Sequence, residues 1–274
     1  MTFDQLTRLI FRKKSLLCIG LDTDISLIPR HLVSADDPVF AFNQAIIDAT
    51  LDLAIAYKLN LAFYESMGLK GWRSLERTME HLRKYTGQVF TIADAKRGDI
   101  GNTSRMYAKA FFEWLQFDAV TVAPYMGEDS VTPFLEYDDK WVILLGVTSN
   151  PGSRDFQMLD VGGRPLYEEV IRKALQWGTR EQLMFVAGAT HPQLFRKLRE
   201  IAPDFFFLVP GIGAQGGDLH AICENGLNQY GGIMLNSSRQ IIYASGDKDF
   251  AEAARAQALN LFNCITTHLN KISP

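Results

Sequence analysis

The stretch TIADAKRGDIGNTS, residues 91–104, places an acid, a base and a second acid within six positions, directly after an apolar run. These residues are Asp94, Lys96 and Asp99. A lysine that lies between carboxylates is held as an ammonium, because opposite charges raise its pKa. Such a group donates protons, whereas an imine-forming lysine needs a lowered pKa. The spacing therefore favours proton-transfer chemistry and disfavours a Schiff-base aldolase.

Two more charged residues lie in earlier apolar runs. Asp22 ends the run LCIGLD, and Lys58 lies in AYKLN. Residues two apart in a strand face the same side, so Asp94 and Lys96 are expected to point together into the mouth of a barrel. For any one of these residues alone, a capped turn or a structural ion pair is the alternative. Four charges that end three consecutive strands favour a functional set.

Two loops late in the sequence have the composition of a phosphate site. VPGIGAQGGD, residues 209–218, contains a G-x-G-x-x-G spacing, and NSSR places Arg239 just after the last apolar run. A dinucleotide-binding fold needs this glycine pattern early, with an acid about 20 residues further on, and the sequence meets neither condition. In a barrel, the loops after strands seven and eight often bind phosphate through backbone N–H groups and an arginine fork. A flexible turn and a solvated arginine are the alternatives, and together the loops favour a phosphate site.

The segment GVTSNPGSRD follows the fifth apolar run and contains Asn150-Pro151-Gly152, which is a turn signal. This turn would hold Ser149 at the mouth of the barrel. Its hydroxyl is then a candidate to bind a polar edge of a substrate.

The elements that must position these residues are short apolar runs, typical of strands covered on both faces, separated by stretches with helical spacing. The predicted strands are Leu17–Leu21, Ala56–Leu61, Val89–Ala93, Ala119–Ala123, Val142–Val147, Leu183–Ala187, Phe205–Val209 and Gly232–Leu235. The predicted helices are Phe40–Ile55, Leu75–Tyr85, Thr103–Leu115, Leu166–Trp177, Pro192–Ile201 and Phe250–Leu269. This alternation predicts an α/β fold, a single (β/α)₈ TIM barrel over residues 1–274, with a doubly wound sheet as the alternative. Phe3–Phe11 predicts an extra N-terminal helix that caps one end.

Composition narrows the classes of function. The formal net charge of −3 gives no reason to expect nucleic-acid binding. The start of the sequence lacks signal-peptide features, and no apolar run is long enough to span a bilayer, so a cytoplasmic protein without a membrane partner is expected. Cys18, Cys223 and Cys264 are far apart and lack CxxC spacing, so reduced packing residues are expected rather than a disulfide or zinc site.

Together these residues resemble orotidine 5′-phosphate decarboxylase, in particular its longer bacterial form. The matching segments are Asp22, YKLNLAFYE around Lys58, DAKRGDIGNT from Asp94, TSNPGS around Ser149, PGIGAQGGD from Pro210 and NSSR ending at Arg239. The resemblance implies conversion of orotidine 5′-monophosphate (OMP) to UMP and CO₂ in pyrimidine biosynthesis, without a metal or cofactor. The wording differs from shorter family members around KRGDIG and NPGSRDF, so the contacts of the fifth loop are the least defined.

The resemblance also implies roles for the charged residues. Lys96 resembles the acid that protonates C6 of the pyrimidine, and Asp94 resembles the aspartate beside the departing carboxylate. Lys58 is similar to the lysine that orients the charge network, and Asp22 and Lys58 match positions that contact the ribose.

Other implied roles concern the second subunit and the substrate. Asp99, Ile100 and Thr103 match residues that the family supplies from a partner subunit, which implies a homodimer with shared active sites. Ser149 resembles the serine that contacts the pyrimidine. The implied residues of the phosphate loops are Pro210, Gln215, Ser238 and Arg239.

Two other functions stay open as alternatives. A related Mg²⁺-dependent sugar-phosphate decarboxylase group shares the D-x-K-x-x-D core but has an acid where this chain has Lys58, and a lysine there replaces a metal ligand by a cation. A non-catalytic phosphate-ligand-binding barrel is the other alternative. Loss of Asp94 or Lys96 would be its simplest sign, and both residues are present.

Overall fold

A computed structural model describes residues 1–189, 193–212 and 218–272. Its centre is a closed barrel of eight parallel strands in sequence order, with β8 paired to β1. The structure confirms the predicted (β/α)₈ barrel. The strands are β1 Leu17–Gly20, β2 Ala56–Asn60, β3 Phe90–Arg97, β4 Ala119–Val122, β5 Trp141–Val147, β6 Leu183–Ala187, β7 Phe206–Pro210 and β8 Ile233–Ser237.

Eleven α-helices occur within the described residues. They are α1 Phe3–Lys13, α2 Pro38–Thr50, α3 Leu61–Glu65, α4 Leu69–Arg83, α5 Gly101–Lys109, α6 Thr132–Leu135, α7 Leu166–Ala174, α8 Leu194–Ile201, α9 Leu219–Gly226, α10 Arg239–Ile242 and α11 Phe250–Leu269. The helix predicted over Thr103–Leu115 is divided, because α5 continues as a π-helical turn at Ala110–Trp114. Among these described helices, none combines the length and apolar character needed to cross a membrane.

Three strands extend further toward the mouth of the barrel than their apolar runs predict. β3 continues past Ala93 to Arg97, β7 continues to Pro210, and β8 continues to Ser237. The predicted strands end where the apolar residues end. Strand pairing continues because the backbone of the polar residues still hydrogen-bonds to its neighbours; Asn60 pairs with Asp94, for example. The polar ends of the strands therefore belong to the rigid barrel and not to loops.

Helix α1 closes the opposite end, the floor of the barrel, as the sequence predicts. Its N-cap Thr2 and Gln5 form a reciprocal capping box. Phe3 packs against Trp141, the first residue of β5, with ring centroids 6.2 Å apart. It also packs against Phe206, the first residue of β7, with ring centroids 5.4 Å apart. This aromatic cluster covers the floor, and the polar ends of β3, β7 and β8 lie at the other end of the barrel, the mouth.

Candidate active site

Four charged side chains meet at the mouth of the barrel. The Lys58 ammonium donates to Asp94 Oδ2 at 2.8 Å and to Asp22 Oδ1 at 3.3 Å. The Lys96 ammonium donates to Asp94 Oδ1 at 2.5 Å. The charges thus alternate in sign along a chain from Asp22 through Lys58 and Asp94 to Lys96. Lys58 and Asp94 are buried, whereas the side chain of Lys96 is 51% exposed.

The buried pair is held in its charged form. Burial alone would lower the pKa of Lys58, but the carboxylates of Asp22 and Asp94 outweigh it and raise that pKa above the ordinary value. Burial alone would raise the pKa of Asp94, but the ammonium groups of Lys58 and Lys96 lower it well below its usual range. The network therefore holds the Lys58 ammonium and the Asp94 carboxylate in their charged forms at a buried position, where charges act strongly.

The backbone of β3 is irregular where it presents Lys96. The register with β4 shifts between Ala93 and Arg97, and Lys96 adopts a left-handed backbone with φ 46°. The Arg97 guanidinium donates to the carbonyl of Ala95 at 2.8 Å and pairs with Glu65. Regular strand alternation predicts that Asp94 and Lys96 face the same side. The structure brings them together through this bulge instead.

A cavity of about 220 Å³ opens beside the charged chain. Asp22, Lys58 and Asp94 line one side of it, and Pro210, Ser238 and Arg239 of the predicted phosphate loops line the other. Ser238 Oγ donates to the carbonyl of Gly20 at 3.0 Å, and Arg239 is exposed at the first position of α10. Gln215 lies outside the described residues. The cavity therefore connects the charge network to Arg239 and the other residues of the predicted phosphate loops.

Two asparagines in the cavity wall belong to the quoted segments YKLNLAFYE and NSSR but are not among the predicted site residues. Asn60 ends β2, and the buried Asn236 lies in β8 beside Cys18, whose thiol is 3.5 Å from Asn236 Oδ1. Burial raises the pKa of that thiol to about 12, so Cys18 is neutral at physiological pH. Asn60 lies inside the predicted strand Ala56–Leu61, and Asn236 directly follows the predicted strand Gly232–Leu235. A polar residue within or directly after such an apolar run is the signal that identifies them.

Ser149 follows β5 at the same end of the barrel and is half-buried. The segment around it is braced, because Gln157 accepts from the backbone N–H of Thr148 at 2.8 Å and donates to the Thr148 hydroxyl at 2.9 Å. The turn signal at Asn150-Pro151-Gly152 becomes a short 3₁₀ helix over Pro151–Asp155. Ser149 is not among the residues that line the 220 Å³ cavity.

Asp99, Ile100 and Thr103 lie apart from the charged chain. The Asp99 carboxylate accepts from the backbone N–H of Ile100 at 2.7 Å, and within the part of the chain that is described it forms no ion pair with either lysine of the mouth. Ile100 and Thr103 are exposed around the N-terminus of α5. A single copy of the chain therefore does not bring Asp99, Ile100 and Thr103 to the four charged residues of the mouth.

The donor set at the mouth does not suit a divalent cation. Over residues 1–189, 193–212 and 218–272, no group of three or more His, Cys, Asp or Glu side chains is arranged to hold a metal. The two carboxylates that could have been ligands, Asp22 and Asp94, instead share the Lys58 ammonium. A cation already occupies the position between them, which opposes the Mg²⁺-dependent alternative.

A family model, curated relatives and a solved structure all show similarity to this chain over most of its length. A family model described as "Orotidine 5'-phosphate decarboxylase / HUMPS family" matches residues 15–256. A Bacteroides fragilis protein named orotidine 5′-phosphate decarboxylase is 59% identical over 250 residues, which cover 91% of each chain. A protein of the same name from Christiangramia forsetii is 53% identical over 272 residues, 99% of this chain and 100% of that one. The solved structure of Leishmania donovani UMP synthase has a TM-score of 0.85 at 38% identity, covering 98% of this chain and 56% of that chain.

Proposed function

The chain belongs to the orotidine 5′-phosphate decarboxylase / HUMPS family, and from this premise we propose that it converts OMP to UMP and CO₂ without a metal or cofactor. The relatives at 53–59% identity carry the decarboxylase name. The observation that carries the proposal is the alternating series of charges: Asp22, Lys58 and Asp94 line a cavity that Arg239 also lines, and the series ends in the half-exposed Lys96 ammonium.

The chemistry follows from the position of Lys96. As the bond between C6 of the pyrimidine and its carboxylate breaks, the electron pair stays on C6 and CO₂ leaves. C6 then takes a proton from the Lys96 ammonium, and the resulting amine regains a proton from water. An ammonium held close to C6 stabilises the developing negative charge, and preorganised electrostatic stabilisation of this kind is commonly the largest contribution to catalysis.

Asp94 has two effects in this proposal. Its carboxylate holds Lys96 and Lys58 in place through contacts of 2.5 and 2.8 Å. Placed beside the substrate carboxylate, it also repels that group, and the repulsion is relieved when CO₂ departs. We give the first effect more weight, because positioning of the ammonium acts directly on the transition state.

The remaining predicted residues bind the substrate. Arg239 and Ser238, with Pro210 beside them, form the wall that would receive the phosphate, and Gln215 completes that set by resemblance. The ribose then lies against Asp22 and Lys58, and the pyrimidine extends toward Ser149. Binding of the distant phosphate would help to hold C6 at Lys96, so that binding energy away from the reacting carbon contributes to the rate.

The test of this proposal replaces the proton donor. Lys96→Ala should abolish conversion of OMP, followed by the ultraviolet change as orotate becomes uracil, while Lys84→Ala, which changes an exposed lysine after α4, should retain wild-type turnover. Thermal unfolding should show that both variants are folded, because the Lys96 side chain is half exposed. Near-normal turnover by Lys96→Ala would overturn the assignment of Lys96.

We further propose that the active site is shared between two subunits of a homodimer. The exposed surface around the mouth carries large apolar side chains, among them Ile100, Met106 and Tyr125, and Tyr125 is 89% exposed. A second copy that covered this surface would bury them and could carry its own Asp99, Ile100 and Thr103 to the first copy's cavity. A two-fold axis would make the exchange reciprocal.

Mixing two inactive variants tests the shared site. Lys96→Ala and Asp99→Ala proteins, unfolded and refolded together in equal amounts, should recover about a quarter of wild-type activity, because half of the dimers are mixed and each mixed dimer has one intact site. Each variant refolded alone is the control. Absence of any recovery in demonstrably mixed dimers would contradict a shared site and leave the decarboxylase proposal standing.

A further inference from the structure

Thr121 in β4 contacts both members of the reacting pair but forms no part of the family motifs in the sequence analysis. Its side chain lies inside the barrel, and the residue is 1% exposed. The Thr121 hydroxyl lies 2.8 Å from the backbone N of Lys96 and 3.2 Å from Asp94 Oδ1. One hydroxyl therefore connects the backbone of one residue to the carboxylate of the other.

The directions of these two hydrogen bonds are fixed by chemistry. A backbone N–H can only donate, so the Thr121 oxygen accepts from Lys96. A carboxylate held in its charged form can only accept, so the hydroxyl proton points to Asp94. The hydroxyl uses its single proton on Asp94, and valine, which has the same shape but lacks the hydroxyl, can make neither bond.

The strand irregularity explains why this hydroxyl is needed. Val120 pairs with Ala93, and Val122 pairs with Arg97, so three residues of β3 lie opposite the single residue Thr121. Within this bulge the backbone N–H of Lys96 donates to the Thr121 hydroxyl, a side chain of the neighbouring strand. The left-handed φ of 46° at Lys96 is a conformation that non-glycine residues seldom adopt and that the surroundings must hold.

We propose that Thr121 is a positioning residue for the decarboxylation: it fixes the β3 bulge so that the Lys96 ammonium and the Asp94 carboxylate stand in the geometry that the reaction needs. This inference rests on the proposed function. Thr121 acts through Asp94 and Lys96, so its loss should affect the chemical step more than substrate binding.

The floor of the barrel supplies a matched control. Thr91, 6% exposed in β3, accepts from the backbone N of Asp118 at 3.0 Å and donates to Asp118 Oδ2 at 3.0 Å. This is the same pair of bonds, from a backbone N–H and to a carboxylate, at the end of the barrel away from the cavity. Thr91→Val therefore removes a comparable hydroxyl without touching the proposed active site.

The experiment compares Thr121→Val, Thr121→Ser and Thr91→Val with the wild type. Thr121→Val should lower kcat on the order of 100-fold with little change in KM, since small misplacements of reacting groups have effects of this size. Thr121→Ser should restore most of kcat, and Thr91→Val should lower the Tm while kcat stays at the wild-type value.

The outcomes separate this inference from the proposed function. A wild type that does not convert OMP overturns the proposed function. An active wild type with Thr121→Val within about twofold of its kcat overturns only the role of Thr121, and so does a folded Thr121→Ser no faster than Thr121→Val. Should Thr121→Val fail to fold, Thr121→Ala is measured in its place with the same criteria, and a crystal structure of the folded variant should show Lys96 displaced from Asp94.

Discussion

Each end of the barrel contains a cluster of an aspartate, a threonine and one or more cations, but we assign a structural role to the cluster at the floor and a catalytic role to the one at the mouth. At the floor, Asp118 accepts from Thr91 and from the Met1 ammonium, the latter at 3.0 Å. At the mouth, Asp94 accepts from Thr121 and from two lysine ammonium groups. In both places an aspartate joins a threonine of a neighbouring strand to a cation.

The two clusters differ in the hydrogen-bond partners and the exposure of their cations. The floor also has a cavity, of about 440 Å³ against about 220 Å³ at the mouth, so size does not identify the active site. The floor's Lys140 donates to the carbonyl of Phe117 at 2.7 Å, and burial lowers its pKa. Lys96 is held at one carboxylate and remains half exposed. A polar cluster is structural where its cations donate to backbone carbonyls, as Met1 and Lys140 do, and becomes a candidate for chemistry where a half-exposed ammonium is held by a carboxylate, as Lys96 is.

Among the predicted changes, Asp94→Asn at the mouth should have the largest effect on turnover. Loss of the charge shared by Lys58 and Lys96 should reduce kcat/KM by roughly 10³-fold, because a preorganised electrostatic contact is removed. Steady-state kinetics with OMP measures the effect. A reduction of less than tenfold would show that the charged chain is structural, like its counterpart at the floor.

Gly20→Ala should have an intermediate effect on the phosphate side of the cavity. A Cβ at Gly20 would lie 2.7 Å from Ser238 Cβ and 3.0 Å from its Oγ, so Ser238 and the neighbouring Arg239 must shift. We expect KM for OMP to rise about tenfold, which is about 1.4 kcal/mol of binding, with a smaller change in kcat. Gly246→Ala, where nothing lies within 4 Å, is the control. Equal KM values for the two variants would contradict the placement of the phosphate.

Asp118→Asn at the floor should affect stability and not turnover. An amide in place of the carboxylate turns an NH₂ group toward donors, which leaves buried donors unsatisfied and should lower the free energy of unfolding by roughly 2 kcal/mol. Urea unfolding measures this change, and kcat should stay within about twofold of the wild type. A large loss of kcat in a folded variant would remove the distinction between the two ends.

The smallest expected effect is the pH dependence of the stability that Asp94 contributes. The pKa of Asp94 is lowered in the folded protein, so its charged contacts contribute fully above the unfolded-state pKa of about 3.9 and are lost as pH falls below it. The difference in unfolding free energy between wild type and Asp94→Asn should therefore be constant from pH 7 to pH 5 and shrink below about pH 4. A difference that grows toward acid pH would reverse the assigned sign.

The sequence predicted the architecture because barrel strands and helices carry strong apolar patterns. The predicted strand Leu183–Ala187, for example, has the same bounds as β6. Strands that end in polar residues were predicted too short, since β3 continues from Ala93 to Arg97 through Asp94 and Lys96. The short helices α3, α6 and α10 carry too few turns for helical periodicity to be seen.

The candidate site was only partly visible for the same reason. Asp94, Lys96 and Asp99 stand out by charge and spacing. The positions of Asp22, Lys58, Ser149 and Arg239 within or after apolar runs identify those four. The resemblance gives the remaining predicted residues, Ile100, Thr103, Pro210, Gln215 and Ser238. Thr121 did not stand out, because threonine is a common residue in β-strands. Its contacts with Asp94 and Lys96 depend on the bulge in the neighbouring strand β3. A bulge depends on pairing between segments 25 residues apart, from Lys96 to Thr121, which local patterns do not encode.

The most direct test of the central claim is conversion of OMP by the wild-type protein after treatment with EDTA and with no added metal or cofactor. We expect rapid conversion, one CO₂ for each UMP, at a rate that added Mg²⁺ does not increase. No conversion by a demonstrably folded protein, or conversion that requires Mg²⁺, would contradict the account.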